Sequence, residues 1–444
     1  MKFEVDNQTR RDLEIFGTVK GGMSVVSLFD FTVCIGGRRK LYNFLSEPLT
    51  DVHKITERKN SIAFFQQHLP SGLDVDKNSL DFTEYYLRHS SLSSKPISKL
   101  RAFEKKIMSK IYPSNEYYMV ETGVSATVEL LKAIHKFSLL LDEKAREYDC
   151  PQYLLDHNKT VKGLLSQPAY SRMIKTKRLK AYDITDFDYV FRYTNRDDVL
   201  FFLELVYEYD AFLAIAKAAG KYKLSYPEVV PETENCLEIE DLFHPFVDGA
   251  IANNIQFDNT SNLLFISGPN MAGKSTFLKA LGVSVYLAHA GFPVPASKMK
   301  LSVLSGLSTT INISDNLASG YSHFYAEVMR IKEVAQKLKT NKNMLVLFDE
   351  LFRGTNVKDA YDGTLAIVSA FAQIRTSFFV ISTHIVEVAR ELEVEKNIQF
   401  CYFDIQEKDG HPVYTYKLRK GVSEVRLGMY IIRKEGLIEL IKDL

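Results

Sequence analysis

The chain has 444 residues, 46% hydrophobic and 25% charged, with a formal net charge of +1, so it is long enough for two or three cored domains of ordinary globular composition. Bulk charge does not announce a nucleic-acid binder, although a local basic face is compatible with it. Its four cysteines, Cys34, Cys150, Cys236 and Cys401, form no C-x-x-C pair, which argues against a zinc site or a disulfide framework and for a reducing compartment.

No apolar run approaches the ~18 residues of a membrane span, and the stretch from Met1 to Asp6 is too polar for a signal peptide, so a cytoplasmic location is expected. Asp6 to Glu14 reads as a capped helix start or a strand end, broken by Gly21-Gly22. A helix is expected from about Ser24 to Leu45, with Leu28, Phe31 and Ile35 on its apolar stripe. Gly36-Gly37 in its middle costs helix stability and implies close packing or a bend. Asp51 then caps a helix that ends near Pro70.

Residues 71–225 read as mostly helical. Leu130, Ile134, Phe137 and Leu141, and then Val199, Phe202, Val206, Tyr209 and Leu213, recur at three- and four-residue steps, as on long helices with one buried face. Two basic runs interrupt the region: Lys95 to Lys110, with Lys99, Arg101, Lys105 and Lys106, and Arg172 to Lys180. Each suits either phosphate contact or a solvated helix face. Tyr226-Pro227 and Pro231 mark a linker, because proline cannot continue a helix, and divide the chain into residues 1–225 and 226–444.

Beyond the linker, strands and helices alternate, the signature of a sheet with helices packed on it. Strands are expected over 263–267, 344–349, 377–382, 399–405 and 413–418, the last two joined as a hairpin through Lys408-Asp409-Gly410. Two short helices are expected at about 426–434 and 437–443.

The chemistry is concentrated here. After the strand Leu263–Ser267 comes Gly268-Pro269-Asn270-Met271-Ala272-Gly273-Lys274-Ser275-Thr276, which satisfies G-x-x-x-x-G-K-[ST]. Its glycines let backbone N–H groups face a phosphate chain at a helix start; Lys274 would neutralise the β/γ-phosphates and Ser275 would hold Mg²⁺. The apolar strand Met344–Phe348 ends in Asp349-Glu350: Asp349 can hold the metal through water and Glu350 can polarise the attacking water. The strand Phe378–Thr383 ends at His384, which can touch the γ-phosphate or the lytic water. Asp315 to Phe324, ahead of a helix beginning around Tyr325, offers a second phosphate-seeking surface that would be redundant in a monomer but could complete the site of a partner in a dimer.

These residues together resemble the MutS family of DNA mismatch-repair ATPases. The likeness rests on Gly268–Thr276, Leu317-Ala318-Ser319-Gly320, Phe324, Glu327, Asp349-Glu350 with Arg353-Gly354-Thr355, Ser382-Thr383-His384 and the lead-in His244-Pro245. In the first half it rests on Asp6, Thr9-Arg10-Arg11, Leu13-Glu14, Asp30, Thr32, Gly37, Arg39, Leu41, Leu45, Pro48-Leu49 and Arg58. The resemblance implies a C-terminal α/β ABC-type P-loop ATPase domain behind an all-α lever, or core, domain, with ATP and Mg²⁺ as ligands. It implies a homodimer in which Ser319, Gly320 and Ser322 of one subunit face the γ-phosphate on Lys274 of the other, and action on DNA.

The departures are informative. The chain starts at the lever, whereas MutS proteins carry mismatch-reading and connector domains ahead of it, so autonomous mismatch reading is not expected. The letters Phe202-Leu203-Glu204 fit the mismatch-reading triplet but fall inside an amphipathic helix. The DNA clamp between the lever segments is expected to be short or missing. Ala272 replaces a usual glycine, His323 a usual threonine, and Ala250 the aromatic ring that would stack on adenine. A second reading is an ATP-gated interaction protein whose lever signals to a protein or RNA partner; a transporter ATPase is disfavoured.

Overall fold

The computed structural model describes residues 2–18, 21–88, 99–111, 115–258, 260–311, 323–352, 354–408, 411–422 and 440–441. Contacts gather the chain into two compact units: Phe29–Ser46 with Glu57–Lys221, and Met1–Leu28 with Glu47–Thr56 and Tyr222–Leu444. A single cut at 225 therefore misses that two N-terminal segments pack with the C-terminal half. Among the described residues the α-helices of the first half are α1 (Asn7–Asp12), α2 (Val25–Phe29), α3 (Ile35–Ser46), α4 (Val52–His68), α5 (Lys77–Arg88), α6 (Lys99–Ile111), α7 (Asn115–Glu147), α8 (Gln152–Leu165), α9 (Pro168–Lys175), α10 (Ala181–Tyr189) and α11 (Arg196–Tyr222). None among the described residues is long and apolar enough to cross a membrane.

The helical unit follows the periodicity. Leu130, Ile134, Phe137 and Leu141 of α7 are buried, as are Val199, Phe202, Val206, Tyr209 and Leu213 of α11. Phe202 and Leu203 are core residues and Glu204 is exposed, pairing with Lys40 at 3.3 Å, so the triplet is an ordinary stretch of a packed helix. The helix expected over 24–45 is two helices. Its break is imposed from far along the chain: the Asp210 carboxylate on α11 accepts the N–H groups of Val33 and Cys34 at 3.0 Å and so caps the start of α3. Ile35 consequently points outward, 62% exposed, and does not continue a stripe with Leu28. Gly36 and Gly37 lie inside α3, because a Cβ there would stand 2.3 Å from the Tyr207 ring and 2.1 Å from Asp210.

The α/β unit holds two sheets. Strands β1 (Glu228–Val230), β2 (Leu237–Leu242), β3 (Asn253–Phe257) and, after β4 (Leu263–Ser267) and α12 (Lys274–Ala290), β5 (Lys298–Ser302) make a small sheet in the order β1-β5-β2-β3. The larger sheet adds β6 (Gly306–Thr310), β7 (Met344–Asp349), β8 (Phe378–Thr383), β9 (Ile398–Lys408) and β10 (His411–Lys420), ordered β10-β9-β4-β8-β7-β6. All its pairings are parallel except the terminal β9–β10 hairpin. Helices α13 (His323–Thr340), α14 (Val357–Ala372) and α15 (Glu387–Leu392) complete the unit. Strands β4, β7 and β8 are buried throughout, as central parallel strands covered on both faces must be. The helices expected over 426–434 and 437–443 fall almost wholly outside the described residues.

The N-terminal segments are hydrogen-bonded into this unit. Asp6 caps α1 by accepting the Thr9 N–H at 2.7 Å. The Thr9 hydroxyl accepts the Thr309 N–H at 3.0 Å, and the buried Asp12 carboxylate accepts the Thr309 hydroxyl at 2.7 Å and the Ile311 N–H at 3.0 Å. Asp6 also pairs with Arg330 at 2.7 Å and with Lys337, both on α13. Leu49 is held by His289, whose carbonyl accepts the Leu49 N–H and whose Nδ1 bonds the Leu49 carbonyl, each at 2.7 Å.

Candidate functional site

The central strand β4 delivers the chain to the glycine loop at the C-terminal edge of the parallel sheet. Three residues of the loop take left-handed backbone: Gly268 at φ +141°, Met271 at +67° and Gly273 at +106°. These turns curl the segment round the start of α12, so its first-turn N–H groups and positive dipole end look into the loop. Met271 stands 80% exposed at the tip, with Asn270, Ser275 and Thr276 also open, whereas Ala272 is buried, so its methyl is accommodated within the loop. Lys274 is buried; its ammonium donates to the carbonyls of Gly268 at 2.7 Å and Pro269 at 3.1 Å. A cation is thus held at the centre of a ring of backbone, the arrangement that suits a phosphate chain.

Asp349 and His384 arrive on neighbouring strands. Asp349 ends β7 in register with Ser382 of β8, which places the acid beside the loop. Its Oδ2 accepts the Ser275 hydroxyl at 2.5 Å and its Oδ1 accepts the Ser382 hydroxyl. A hydroxyl and a carboxylate oxygen meeting at the loop's mouth form a hard-oxygen pair fit for Mg²⁺, and Ser275 and Asp349 are the residues that could hold it. Glu350 follows with a left-handed backbone, φ +58°, and its N–H bonded to the Ser382 carbonyl at 3.0 Å. That turn swings the carboxylate off the strand's line. Oε1 lies 3.5 Å from the Lys274 ammonium and Oε2 3.5 Å from Nδ1 of His384. Glu350 is almost buried, whereas the His384 side chain is half exposed. A carboxylate fixed between a cation and an imidazole at the edge of a phosphate loop is placed to take a proton from water.

A cavity of about 710 Å³ opens beside the loop, lined by Lys274, Ser275, Thr276 and Glu350 at one side and by Phe243, His244, Ala250, Ile251, Phe403 and Tyr416 at the other. Its aromatic surface comes from residues that motif spacing does not reveal. Tyr416 sits on a bulge of β10 with φ +54°, and a Cβ added to Gly273 would lie 3.2 Å from its ring. Asn253 fixes that bulge: its amide donates to the Tyr416 carbonyl at 3.0 Å and its oxygen accepts the Leu418 N–H at 2.7 Å. Ala250 does line the cavity, as its place before Ile251-Ala252-Asn253 suggests, together with Phe403 and Tyr416 of the hairpin. Burial, helped by Lys279, pulls the His244 imidazole down to about 4, which leaves a neutral ring in the cavity wall at neutral pH.

The second phosphate-seeking stretch lies outside the described residues, so Ser319, Gly320 and Ser322 have no place in this geometry, and neither does Arg353. The helix after that stretch starts at His323, two residues earlier than expected. Glu327 is buried and Phe324 packs on Phe352 with ring centres 5.6 Å apart. Among the described residues no group of three or more His, Cys, Asp or Glu side chains gathers to hold a metal elsewhere.

Residues 8–222 match the family model of MutS domain III and residues 264–443 that of MutS domain V. The chain is 24% identical to the DNA mismatch repair protein MutS of Persephonella marina, over 98% of this chain and 59% of that protein. It is 23% identical to that of Petrotoga mobilis over 99% and 64%, and 30% identical to that of Lysinibacillus sphaericus over 53% and 28%. The chain therefore spans less than two thirds of the length of these relatives. Two of the alignments run over 525 residues, more than the chain's own 444, so the relatives carry residues inside the matched span that this chain lacks.

Proposed function

The chain belongs to the MutS family, and from that premise we propose that it is a Mg-ATP-dependent DNA-binding ATPase of mismatch repair or related DNA metabolism, built on an ABC-type P-loop domain and working as a homodimer. The single observation that carries the enzymatic part is the convergence, from three separate segments, of Lys274, Ser275 and Glu350 at the mouth of one cavity, with Asp349 on Ser275 and His384 on Glu350.

In this reading the loop from Gly268 to Thr276 holds the triphosphate through its backbone N–H groups. Lys274 exchanges its carbonyl partners for phosphate oxygens, which loosens its grip on Glu350. Ser275 and Asp349 hold Mg²⁺, which when bound supplies charge neutralisation at the phosphates. Glu350 then accepts the proton of the attacking water, and His384 orients the Glu350 carboxylate while reaching toward the terminal phosphate. Phe403 and Tyr416 cover the base. Ser319, Gly320 and Ser322 of a second subunit close the site from the other side, so that turnover depends on dimer formation. DNA binding rests on family membership, and the shorter matched span favours a reduced clamp.

The test is steady-state ATP hydrolysis with Glu350→Ala and Lys274→Ala. Glu350→Ala is expected to lower kcat by about 10²–10⁴-fold with nucleotide still bound, and Lys274→Ala to abolish tight binding itself. Turnover unchanged in both variants would refute the catalytic assignment. For DNA, retention of homoduplex, mismatched duplex and four-way junction is compared with and without ATP across a salt series; no salt-sensitive binding to any of them would remove that part.

A further inference from the structure

The wall of the cavity carries a histidine whose proton is fixed by the backbone around it. After β2 the chain runs through Phe243-His244-Pro245-Phe246. The Phe243 N–H is tied to the Pro295 carbonyl at 3.1 Å, and the His244 carbonyl accepts the Val247 N–H at 3.2 Å, so the main chain on both sides of the ring is held. The Phe246 N–H donates to Nδ1 of His244 at 3.3 Å, and the Phe246 ring meets the imidazole edge-on, with centres 5.6 Å apart.

A backbone N–H can only donate, so Nδ1 is the bare nitrogen, and the neutral ring carries its proton on Nε2. The ring is neutral because burial, with Lys279 adding to it, disfavours the charged form. Nε2 has no hydrogen-bond partner among the described residues, although the ring lines the cavity. A ligand that covered this N–H without offering an acceptor would leave it desolvated and unpaired, a cost that selects for an acceptor at that point.

The neighbouring lining says what kind of acceptor. Phe243, Ala250, Ile251 and Phe403 make an apolar wall that suits the flat face of a heteroaromatic base. A phosphate belongs with Lys274, and a sugar needs several polar partners for its hydroxyls. Asn253 on the same wall is already committed: its amide donates to the Ile251 and Tyr416 carbonyls, and its oxygen accepts the Leu418 N–H. Resting on the reading of this cavity as an ATP site, we propose that His244 is a specificity-determining residue that reads the base, its Nε2–H donating to a ring nitrogen on the edge of the adenine.

The test is calorimetric titration of the full chain with ADP, which is not turned over, and with 1-deaza-, 3-deaza- and 7-deaza-ADP, each of which puts C–H in place of one ring nitrogen. One of the three should bind the parent about 3- to 10-fold more weakly than ADP, the effect of losing a single hydrogen bond. His244→Phe, which keeps a ring but has no donor, should bind ADP more weakly by the same factor. It should bind that one analogue no worse than ADP, because the two changes remove the same bond. His244→Ala repeats the cycle with a second variant. The proposal is overturned if the parent binds all three analogues as it binds ADP, if both variants bind ADP as the parent does, or if the analogue's penalty persists undiminished in the variants. It is also overturned if the compound whose penalty the variants remove is 2′-deoxy-ADP, which would mark a ribose contact. Failure of ADP to bind the parent removes the nucleotide reading and this proposal with it; ADP binding without a penalty linked to His244 overturns this proposal alone.

Discussion

Tyr416 carries a left-handed backbone that a tyrosine adopts only when its surroundings hold it there, and the Asn253 amide, bonded on both sides of the bulge, is what holds it. Its ring closes the cavity over Gly273. If it stacks on the base, Tyr416→Ala removes about 1–3 kcal/mol of binding and raises KM for ATP about 5- to 150-fold, leaving kcat within about twofold, while Tyr416→Phe stays near the parent. Alanine and phenylalanine carry the same backbone strain at that φ, so the comparison isolates the ring; equal KM values for the two would exclude stacking. His289 supports a second residue-scale prediction. Its imidazole is fully enclosed, stacked on Phe3 at 4.3 Å, donating from Nδ1 to Leu49 and accepting the Leu304 N–H at Nε2. Burial outweighs the Leu49 bond and lowers the ring to about 4, against 6.5 unfolded. The unfolded chain therefore binds the proton more readily. The stabilising effect, on the order of 3 kcal/mol, is complete above about pH 6.5 and is lost as pH falls toward 4. Urea titrations should show stability falling across that window, and His289→Gln, less stable at pH 7.5, should show a flatter profile. At this scale the sequence was legible where chemistry demands a fixed spacing, as for Lys274, Ser275, Asp349, Glu350 and His384. It was silent on Tyr416, whose place at the cavity depends on a bulge that no local pattern marks.

Helix α1 shows how little sequence an element needs when its partners are distant. It spans six residues, too few to persist alone, and its stability comes from what its carboxylates reach. Asp12 satisfies a buried N–H and a buried hydroxyl next to β6 with one oxygen, Oδ2, so Asp12→Ala strands both and should cost about 2–4 kcal/mol in urea unfolding; Asp12→Asn, whose amide oxygen can stand where Oδ2 does and accept both, should cost well under half of that. Equal losses would mean that the charge, not the acceptor, matters. At Asp6, burial pushes the carboxyl up, but Arg330 and Lys337 outweigh it and hold it far below the usual range. Its contribution is present above about pH 3.8, the unfolded value, and is lost as pH falls below that. The long helices α7 and α11 were readable from their stripes, because burial of one face repeats every three or four residues. The division of the first long helix into α2 and α3 was not, since the cap that starts α3 comes from Asp210 on α11. Nor was the small sheet, whose strands run three to six residues and borrow their register from each other.

For the whole molecule the decisive quantity is how many chains one ATP site requires. Lys274 and Glu350 lie in one mouth of one chain, yet the loop tip, with Met271 80% exposed, and the open Ser275 and Thr276 leave the phosphate side uncovered by the described residues. In the proposed homodimer that side is completed by Ser319, Gly320 and Ser322 of the second copy. A mixing experiment separates this from a self-sufficient chain. Lys274→Ala spoils the loop and spares the 319–322 stretch; Gly320→Asp does the reverse, placing a negative charge where phosphate would approach. Each variant alone should be inactive. Mixed in equal amounts, half of the dimers are mixed, and each mixed dimer pairs one intact loop with one intact stretch, so about a quarter of the parent activity should return, with a second-order dependence on total protein at low concentration. A self-sufficient chain predicts no recovery at any ratio, and a Gly320→Asp variant that is active alone would show that the stretch does not enter the site. Recovery would also explain why a loop that binds its lysine so fully to its own carbonyls does not need a second phosphate clamp from the same chain: the clamp would arrive with the partner, coupling nucleotide hydrolysis to assembly.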